Sequence, residues 1–294
     1  MIGVVKRPVT AFRRYQTGVR TAKMRRRLED LASGKVTESR VTLEESGVDV
    51  AGVIDDVTHG LRADSMPVQR LVTWFWNSGA IDHLVDRLES RSIHVRIRAA
   101  RTVGALHLYD AVWYLEPLLA SRDRHISDAS ARALGKIGGA HSATALMRGI
   151  QRRGTNRRLV AELARSAPDQ FIESAISEAA KPGLRPALAL AAGLRRRRTA
   201  TSQLIRLVQR GSRRERVISC RALGWIGATI AIPLLTEALN DRDWKLRMSA
   251  TKALGALRAT ESVQELRHLM IDRNPRVRRA AQQALRRIEA SHGA

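Results

Sequence analysis

The sequence predicts an all-α protein: a right-handed α-solenoid of about seven helix-turn-helix repeats with an N-terminal helical cap. The main observation is a pattern of an apolar residue, Arg, two Ala, Leu and Gly, seen in LRMSATKALG at residues 246–255, that recurs along the chain. Its copies end at Gly104, Gly135, Ser166, Gly193, Gly224, Gly255 and Arg286. The steps are 31, 31, 27, 31, 31 and 31 residues. Self-similarity at such a period is typical of a solenoid, in which each unit packs against its neighbours.

Each repeat is predicted to contain two helices joined by a tight turn. Counted from the first apolar residue, apolar or small residues fall at positions one, five, eight and nine, which is helical spacing. This is the second helix of the pair. The first helix precedes it, as in Ile232, Leu235 and Leu239 before the turn aspartates Asp241 and Asp243. We interpret the glycine as a C-cap of the second helix, and the alanines as permitting close helix approach.

These motifs resemble HEAT repeats, specifically the short bacterial type also found in bilin (phycobiliprotein) lyases. The resemblance covers roughly residues 80–290. Its best copies begin at Val95, Asp241 and Asp272, whereas the third and fourth copies are degenerate. It implies an architecture more than a single function, because one fold hosts many activities.

The first 35 residues are predicted to form a basic N-terminal segment. Residues 1–27 carry nine Lys and Arg and no Asp or Glu. Apolar residues at helix-compatible spacing allow an amphipathic helix that lies on an anionic membrane or an acidic partner. The alternative is a solvated, disordered tail.

Residues 36–79 are predicted to form an acidic N-terminal helical cap, and residues 80–294 the HEAT-repeat solenoid. Thr42 and Glu45 have the spacing of a capping box. A second helix is expected near Pro67. The adjacent cluster Trp74-Phe75-Trp76 either packs under the cap or forms a partner-binding patch.

The formal net charge of +24 creates a positive potential that attracts nucleic acid, anionic lipid or acidic protein without choosing among them. The single cysteine, Cys220, has no disulfide partner, so we expect a reduced, cytoplasmic compartment. No apolar run approaches the length of a membrane span, and the N-terminus lacks a signal-peptide core. The predicted location is therefore cytoplasmic, with peripheral membrane attachment left open.

Cations within the repeats divide into structural and exposed sets. Position two holds Arg in six repeats, including Arg216, Arg247 and Arg278, and we expect it to pair with turn aspartates and nearby carbonyls. Positions three and seven are expected on the concave face, where they suit an acidic peptide unless a tightly curled solenoid covers them. Trp244, in a charged turn, stacks either on a ligand or on Arg242. The predicted partner-binding residues are Arg101, Arg132, Arg221, Lys252, Ile97, Val217, Met248 and Trp244.

A second, anion-binding set is predicted in the middle of the chain, where arginines replace the turn aspartates of other repeats. Its members are Arg152, Arg153, Arg157, Arg195, Arg196, Arg197, Arg198, Arg213 and Arg214.

The sequence contains no catalytic constellation that we recognise, and we predict neither enzymatic activity nor a cofactor. There is no P-loop, no G-x-S-x-G and no Rossmann fingerprint. Asp55, Asp56 and His59 share a helix face, which we interpret as a solvated helix end rather than a metal site.

The function predicted first is a non-enzymatic scaffold or adaptor that binds an acidic protein partner through its concave basic and apolar surface, either in solution or at the membrane. One alternative is a nucleic-acid-binding solenoid like the DNA-alkylation-repeat glycosylases. Another, suggested by repeat type alone, is a bilin-lyase-like chaperone or transfer enzyme. Few aromatic residues are placed to stack on bases, which argues against the nucleic-acid alternative.

Overall fold

A computed structural model describes residues 6–36, 50–61, 64–168, 170–178 and 183–290, with side chains from residue 18 onward. Across these ranges the chain forms α-helices and short 3-10 helices, and no strand. The predicted capping box at Thr42 and Glu45 lies outside the described residues. The chain divides into two compact units, Met1–Ala145 and Leu146–Ala294.

The first unit contains an N-terminal group of helices followed by two repeat helices, α5 and α7, that pack against each other. A 3-10 turn at Tyr109–Ala111 leads into α6. The helices are α1 Lys6–Ser33, α2 Val50–Thr58, α3 Met66–Asn77, α4 Ala80–Leu88, α5 Ile93–Ala105, α6 Val112–Leu118, α7 Arg124–Ile137 and α8 Gly139–Arg153, the last of which continues into the second unit.

The second unit is a stack in which the second helices of successive repeats, α9, α11, α13, α15 and α17, pack each on the next. Short 3-10 turns join or extend the first helices, for example at Ala238–Asn240 and Leu269–Ile271. The bounds are α9 Arg157–Ser166, α10 Phe171–Glu178, α11 Leu184–Leu194, α12 Thr201–Arg210, α13 Arg213–Ile226, α14 Ile232–Glu237, α15 Trp244–Leu257, α16 Val263–His268 and α17 Pro275–Glu289. The predicted all-α solenoid of helix pairs is confirmed.

The repeat leucine and glycine explain how the second helices stack. Leu223 and Leu254 are fully buried between neighbours, and burial of each such side chain contributes about 1.5 to 3 kcal/mol. A β-carbon added at Gly224 would lie 2.7 Å from Cα of Ala253, and one at Gly255 would lie 2.7 Å from Cα of Ala284. The prediction that these glycines are C-caps is therefore wrong: they lie inside helices, where the absence of a side chain lets two backbones approach.

The left-handed residues that end these helices come later in the chain. Gly227 has φ 80° after α13, and Arg258 has φ 55° after α15. Because glycine favours both left-handed caps and close backbone contacts, the sequence alone did not separate the two roles.

Arginines at position two link one repeat to the next, as predicted. Arg216 donates to the carboxylate of Asp241 at 2.8 Å and to the carbonyl of Val208 at 2.9 Å. Arg247 binds the equivalent carboxylate, that of Asp272, and donates to the carbonyl of Asp241 in the turn before its own helix. The aspartates also accept backbone N–H groups of their own turns, so each joins a turn to a neighbouring helix.

In the first unit, residues 6–33 form one helix that packs on α2 and α3. Met24, Leu28 and Leu31, one helical turn apart in succession, are buried, whereas Val19 is 52% exposed. Arg25 pairs with Asp56 on α2. The described part of α1 is thus an apolar stripe facing the unit, with Arg20, Lys23 and Arg26 exposed.

Candidate partner-binding groove

Three successive second helices of the second unit, α13, α15 and α17, line a shallow groove of about 520 Å³. Its polar and aromatic lining is Arg221, Trp225, Lys252, Gln283 and Arg287. These residues occupy two helical positions four residues apart, seven and eleven of the repeat, so they share one face of each helix. Equivalent positions on neighbouring helices therefore meet in one surface.

The floor of the groove consists of small residues. Gly224, Ala253 and Ala256 line it, and the close approach of Gly224 to Ala253 leaves no large side chain between α13 and α15. The longer side chains of Arg221 and Lys252 consequently stand along the walls. The same glycine that packs the helices thus also creates the depression.

Trp225 supplies the apolar part of the groove. Trp225 is 39% exposed. A β-carbon placed on Gly193 of α11 would lie 2.9 Å from a carbon of this ring, so the indole rests against the α11 backbone. A ring supported in this way offers an apolar contact surface at little entropic cost.

No carboxylate among the described residues neutralises the cations of the groove. Arg221 is half-buried, and Lys252 and Arg287 are exposed. Over the described ranges none of the three is paired with a carboxylate. Unpaired cations around an exposed indole form a surface complementary to an acidic, partly apolar ligand.

The structure brings together some of the predicted partner-binding residues. Arg221 and Lys252 line the groove, and Val217 and Met248 lie half-buried one turn earlier on the same faces of α13 and α15. Sequence analysis placed Gln283 at position seven without naming it as a binding residue, and it missed Trp225 and Arg287 at position eleven. The signal was present, since the helical period continues from position seven to position eleven.

Arg101, Arg132 and Ile97 belong to the first unit and do not line this groove. Arg101 and Arg132 are exposed on α5 and α7, and Ile97 is half-buried. Lys136, one turn beyond Arg132, pairs with Asp55 of α2. The corresponding face of the first unit therefore has part of its charge neutralised internally.

Trp244 is half-buried at the start of α15 and contacts two cations. The guanidinium carbon of Arg276 lies 5.3 Å from the ring centroid, and Nζ of Lys245 lies 5.8 Å from it. The expectation that Arg242 would stack on Trp244 is wrong. Arg276 occupies the first turn of α17, the next helix of the stack, and this inter-repeat neighbour provides the cation–π contact instead.

Among the predicted anion-binding arginines, Arg197 and Arg213 bind acceptors inside the second unit. Arg197 donates to the carbonyl of Pro168 at 2.9 Å and also to that of Ala167. Arg213 binds the carboxylate of Asp243 at 2.5 and 2.7 Å, and this bond holds the pKa of Asp243 below its ordinary value. The other members are exposed at helix ends and do not line the groove: Arg152, Arg153, Arg157, Arg195, Arg196, Arg198 and Arg214.

The two aspartates considered as metal ligands form ion pairs, and the single cysteine is buried. Asp55 and Asp56 pair with Lys136 and Arg25. Among the described residues no group of His, Cys, Asp and Glu is arranged to hold a metal ion. Cys220 is buried in α13, and burial raises the pKa of its thiol to about 12. In the described part of the chain, no helix combines the length and apolarity needed to cross a bilayer.

Stacked helix pairs, without strands in the described residues, define the chain as an α-solenoid repeat protein. A sequence profile of HEAT repeats matches residues 81–166, 169–254 and 204–286, well over half of the chain. The chain belongs to the HEAT-repeat family.

Solved structures similar to the chain include an engineered protein from a structural genomics consortium, at 18% identity over 90% of this chain and 84% of that one, with a TM-score of 0.37. A designed armadillo repeat protein matches at 17% identity over 71% of this chain and 99% of its own, with a TM-score of 0.32. Human deoxyhypusine hydroxylase in complex with glycerol matches at 15% identity over 93% of this chain and 98% of its own, with a TM-score of 0.39. No curated protein sequence matches the chain.

Proposed function

We propose that this protein is a non-enzymatic scaffold whose second unit binds an acidic segment of a partner protein. The observation that carries the proposal is the groove of α13, α15 and α17, where Arg221, Lys252 and Arg287 surround the exposed ring of Trp225. HEAT-repeat architecture supports it, because stacked helices present extended surfaces of this kind to peptides.

The mixture of groups favours an acidic amphipathic segment over bare phosphate. Carboxylates on such a segment would pair with the three cations, while an apolar side chain would cover the indole of Trp225. Burial of the ring supplies affinity that survives salt, and the cations supply orientation and a faster encounter.

Nucleic acid is the second candidate, supported by the net charge of +24. Such a charge yields binding without sequence preference that weakens steeply as salt rises. The engagement of Arg197 and Arg213 in internal bonds reduces the cations available for a phosphate track. For the bilin-lyase-like alternative, none of the described residues offers a specific observation. A cytoplasmic location and membrane attachment through α1 remain proposals that rest on composition and charge.

The experiment compares two labelled probes at about 150 mM salt, where the Debye length is about 8 Å. One probe is an amphipathic peptide rich in Glu, with its Gln counterpart as control, and the other is duplex DNA. We expect saturable one-to-one binding of the Glu peptide, accompanied by a change in tryptophan fluorescence, and weak, sequence-independent DNA binding. Tight, sequence-selective DNA binding without peptide binding would contradict the proposal.

A further inference from the structure

The first unit contains a larger groove of opposite character, with a volume of about 770 Å³. It lies between α3, α4 and the segment that runs from the 3-10 turn Tyr109–Ala111 into α6. Four aromatic side chains on its lining are exposed to solvent. They are Trp76 at 48%, Tyr109 at 57%, Trp113 at 64% and Tyr114 at 43%.

Other residues of the same helices form the core, so these four rings do not contribute to it. On α3 the buried aromatic residue is Phe75, which contacts Trp74 edge-on at 5.0 Å between ring centroids, whereas Trp76 faces solvent. On α6 the core contacts come from Val112 and Leu115. The expectation that the Trp74-Phe75-Trp76 cluster packs under the cap thus holds for Phe75 and not for Trp76.

Two of the rings have a neighbouring residue on one side. A β-carbon on Gly139 would lie 3.2 Å from a ring carbon of Tyr109. Trp113 lies beside His141, with 6.3 Å between ring centroids. Exposed aromatic rings that are supported from behind lose little entropy on binding, which is why such rings dominate interaction surfaces.

The charged side chains that line this groove are mainly negative, although the net charge of the whole chain is positive. Asp82 and Asp86, one turn apart on α4, and Asp110 on the 3-10 turn all line it and are exposed. Within the described residues, none of these three carboxylates is engaged in an ion pair or side-chain hydrogen bond. Three unpaired carboxylates beside four exposed rings is an arrangement complementary to cations.

We propose that this groove docks a cationic segment of a partner protein, carried by Arg or Lys side chains in an extended peptide. The aromatic faces attract guanidinium and ammonium groups through their quadrupoles, and the carboxylates pair with the same groups. Val72, Ile81 and Val85 provide apolar lining for the aliphatic stems of these side chains.

Long-range attraction does not produce this binding. The net charge of +24 repels a cationic peptide from the molecule as a whole. Affinity for such a peptide must therefore come from the local groups of the groove. The aromatic groove shares no lining residue with the groove of α13, α15 and α17, and together the two surfaces give a scaffold that holds partners of opposite charge.

The test uses the full chain and a capped, labelled peptide of alternating Arg and Pro, with a Glu–Pro peptide as the counterpart. Fluorescence anisotropy at about 150 mM salt should show one-to-one binding of the Arg peptide. Asp82→Asn combined with Asp86→Asn should weaken it about tenfold, and Trp113→Ala should do so by a similar factor. Glu89→Gln, an exposed carboxylate at the end of α4 outside the groove, should leave it unchanged.

Thermal unfolding monitored by circular dichroism accompanies each variant. The two Asp→Asn changes are exposed and isosteric, so they test the proposal even if Trp113→Ala disturbs folding. Equal Arg-peptide affinity in the Asp82→Asn/Asp86→Asn variant and the parent would overturn the proposal. It would also be overturned if the groove proved to be occupied by a second copy of the chain, seen as a concentration-dependent dimer that Trp113→Ala dissociates.

Discussion

Arg247 on α15 donates hydrogen bonds of 2.7 and 2.9 Å to the two carboxylate oxygens of Asp272, in the turn between the two helices of the next repeat. Side chains of this pair are only 15% and 6% exposed, so solvent screens the interaction weakly. A bidentate bond of this kind fixes the rotation of one repeat on the next as well as their separation.

Arg247→Ala should lower the free energy of unfolding by about 1 to 3 kcal/mol, because the partly buried carboxylate of Asp272 loses its partner. Urea unfolding followed by circular dichroism measures the change. Arg267→Ala is the matched control, since Arg267 is an exposed arginine of the same unit. An Arg247→Ala variant as stable as the parent would show that the pair is not structural.

The same pair predicts a pH dependence. The hydrogen bonds that Arg247 donates hold the pKa of Asp272 below its ordinary value. The folded state therefore binds a proton at this carboxylate more weakly than the unfolded state does. The stabilisation is fully present above the unfolded pKa of about 3.9 and is lost as pH falls through the folded pKa.

Urea midpoints measured from neutral pH down to about pH 3 should therefore fall more steeply for the parent than for Asp272→Asn, which has no carboxyl group to protonate. Glu289→Gln, at an exposed position, is the control and should follow the parent. Parallel curves for the parent and Asp272→Asn would contradict the assignment.

Gly224→Ala should destabilise the protein by about 1 to 3 kcal/mol, because the new methyl group would lie 2.7 Å from the backbone of Ala253 and force two helices apart. Gly18→Ala is a matched control, since nothing lies within 4 Å of that helical position. There the same substitution should be neutral or stabilising by up to about 1 kcal/mol. A Gly224→Ala variant more stable than the parent would show that close helix packing does not require glycine at this position.

Cys220 should not react with iodoacetamide in the folded protein. Alkylation requires the thiolate, and burial both raises the pKa of this thiol to about 12 and blocks access. Mass spectrometry should detect modification in urea at a rate that follows unfolding. Rapid labelling of the native protein at neutral pH would show that α13 opens locally.

The sequence predicted the features that repeat, because a fixed step of 31 residues imposes the same neighbours on each copy. Position-two arginines and the helix pairs belong to this class. The contact of Trp244 with Arg276 was not predictable in this way, since the neighbouring repeats have Arg213 and Pro275 at the position of Trp244 and the contact depends on how two helices are offset. The aromatic groove was predicted only in part: Trp76 belongs to the Trp74-Phe75-Trp76 cluster, for which a partner-binding patch was one of two alternatives. Asp82 and Trp113 were missed, because they lie on the first helices α4 and α6, whereas the repeated sequence pattern is clearest in the second helices.

At the groove of α13, α15 and α17, the sequence predicted the cations that repeat and missed the aromatic residue that does not. Arg221 and Lys252 were found from helical position alone. Trp225 was missed because an aromatic residue beside the repeat glycine reads as a core residue, and only the packing of its ring on Gly193 leaves one side open.

The most direct test of the account measures binding of the Glu-rich amphipathic peptide to Arg221→Glu/Lys252→Glu. The control is Arg267→Glu/Arg273→Glu, which makes the same change in net charge at exposed positions outside the groove. The account predicts that the groove variant loses at least about tenfold in affinity at about 150 mM salt, while the control retains affinity within about twofold. Equal losses in the two variants would show that net charge alone attracts the peptide, and would contradict a binding site in this groove.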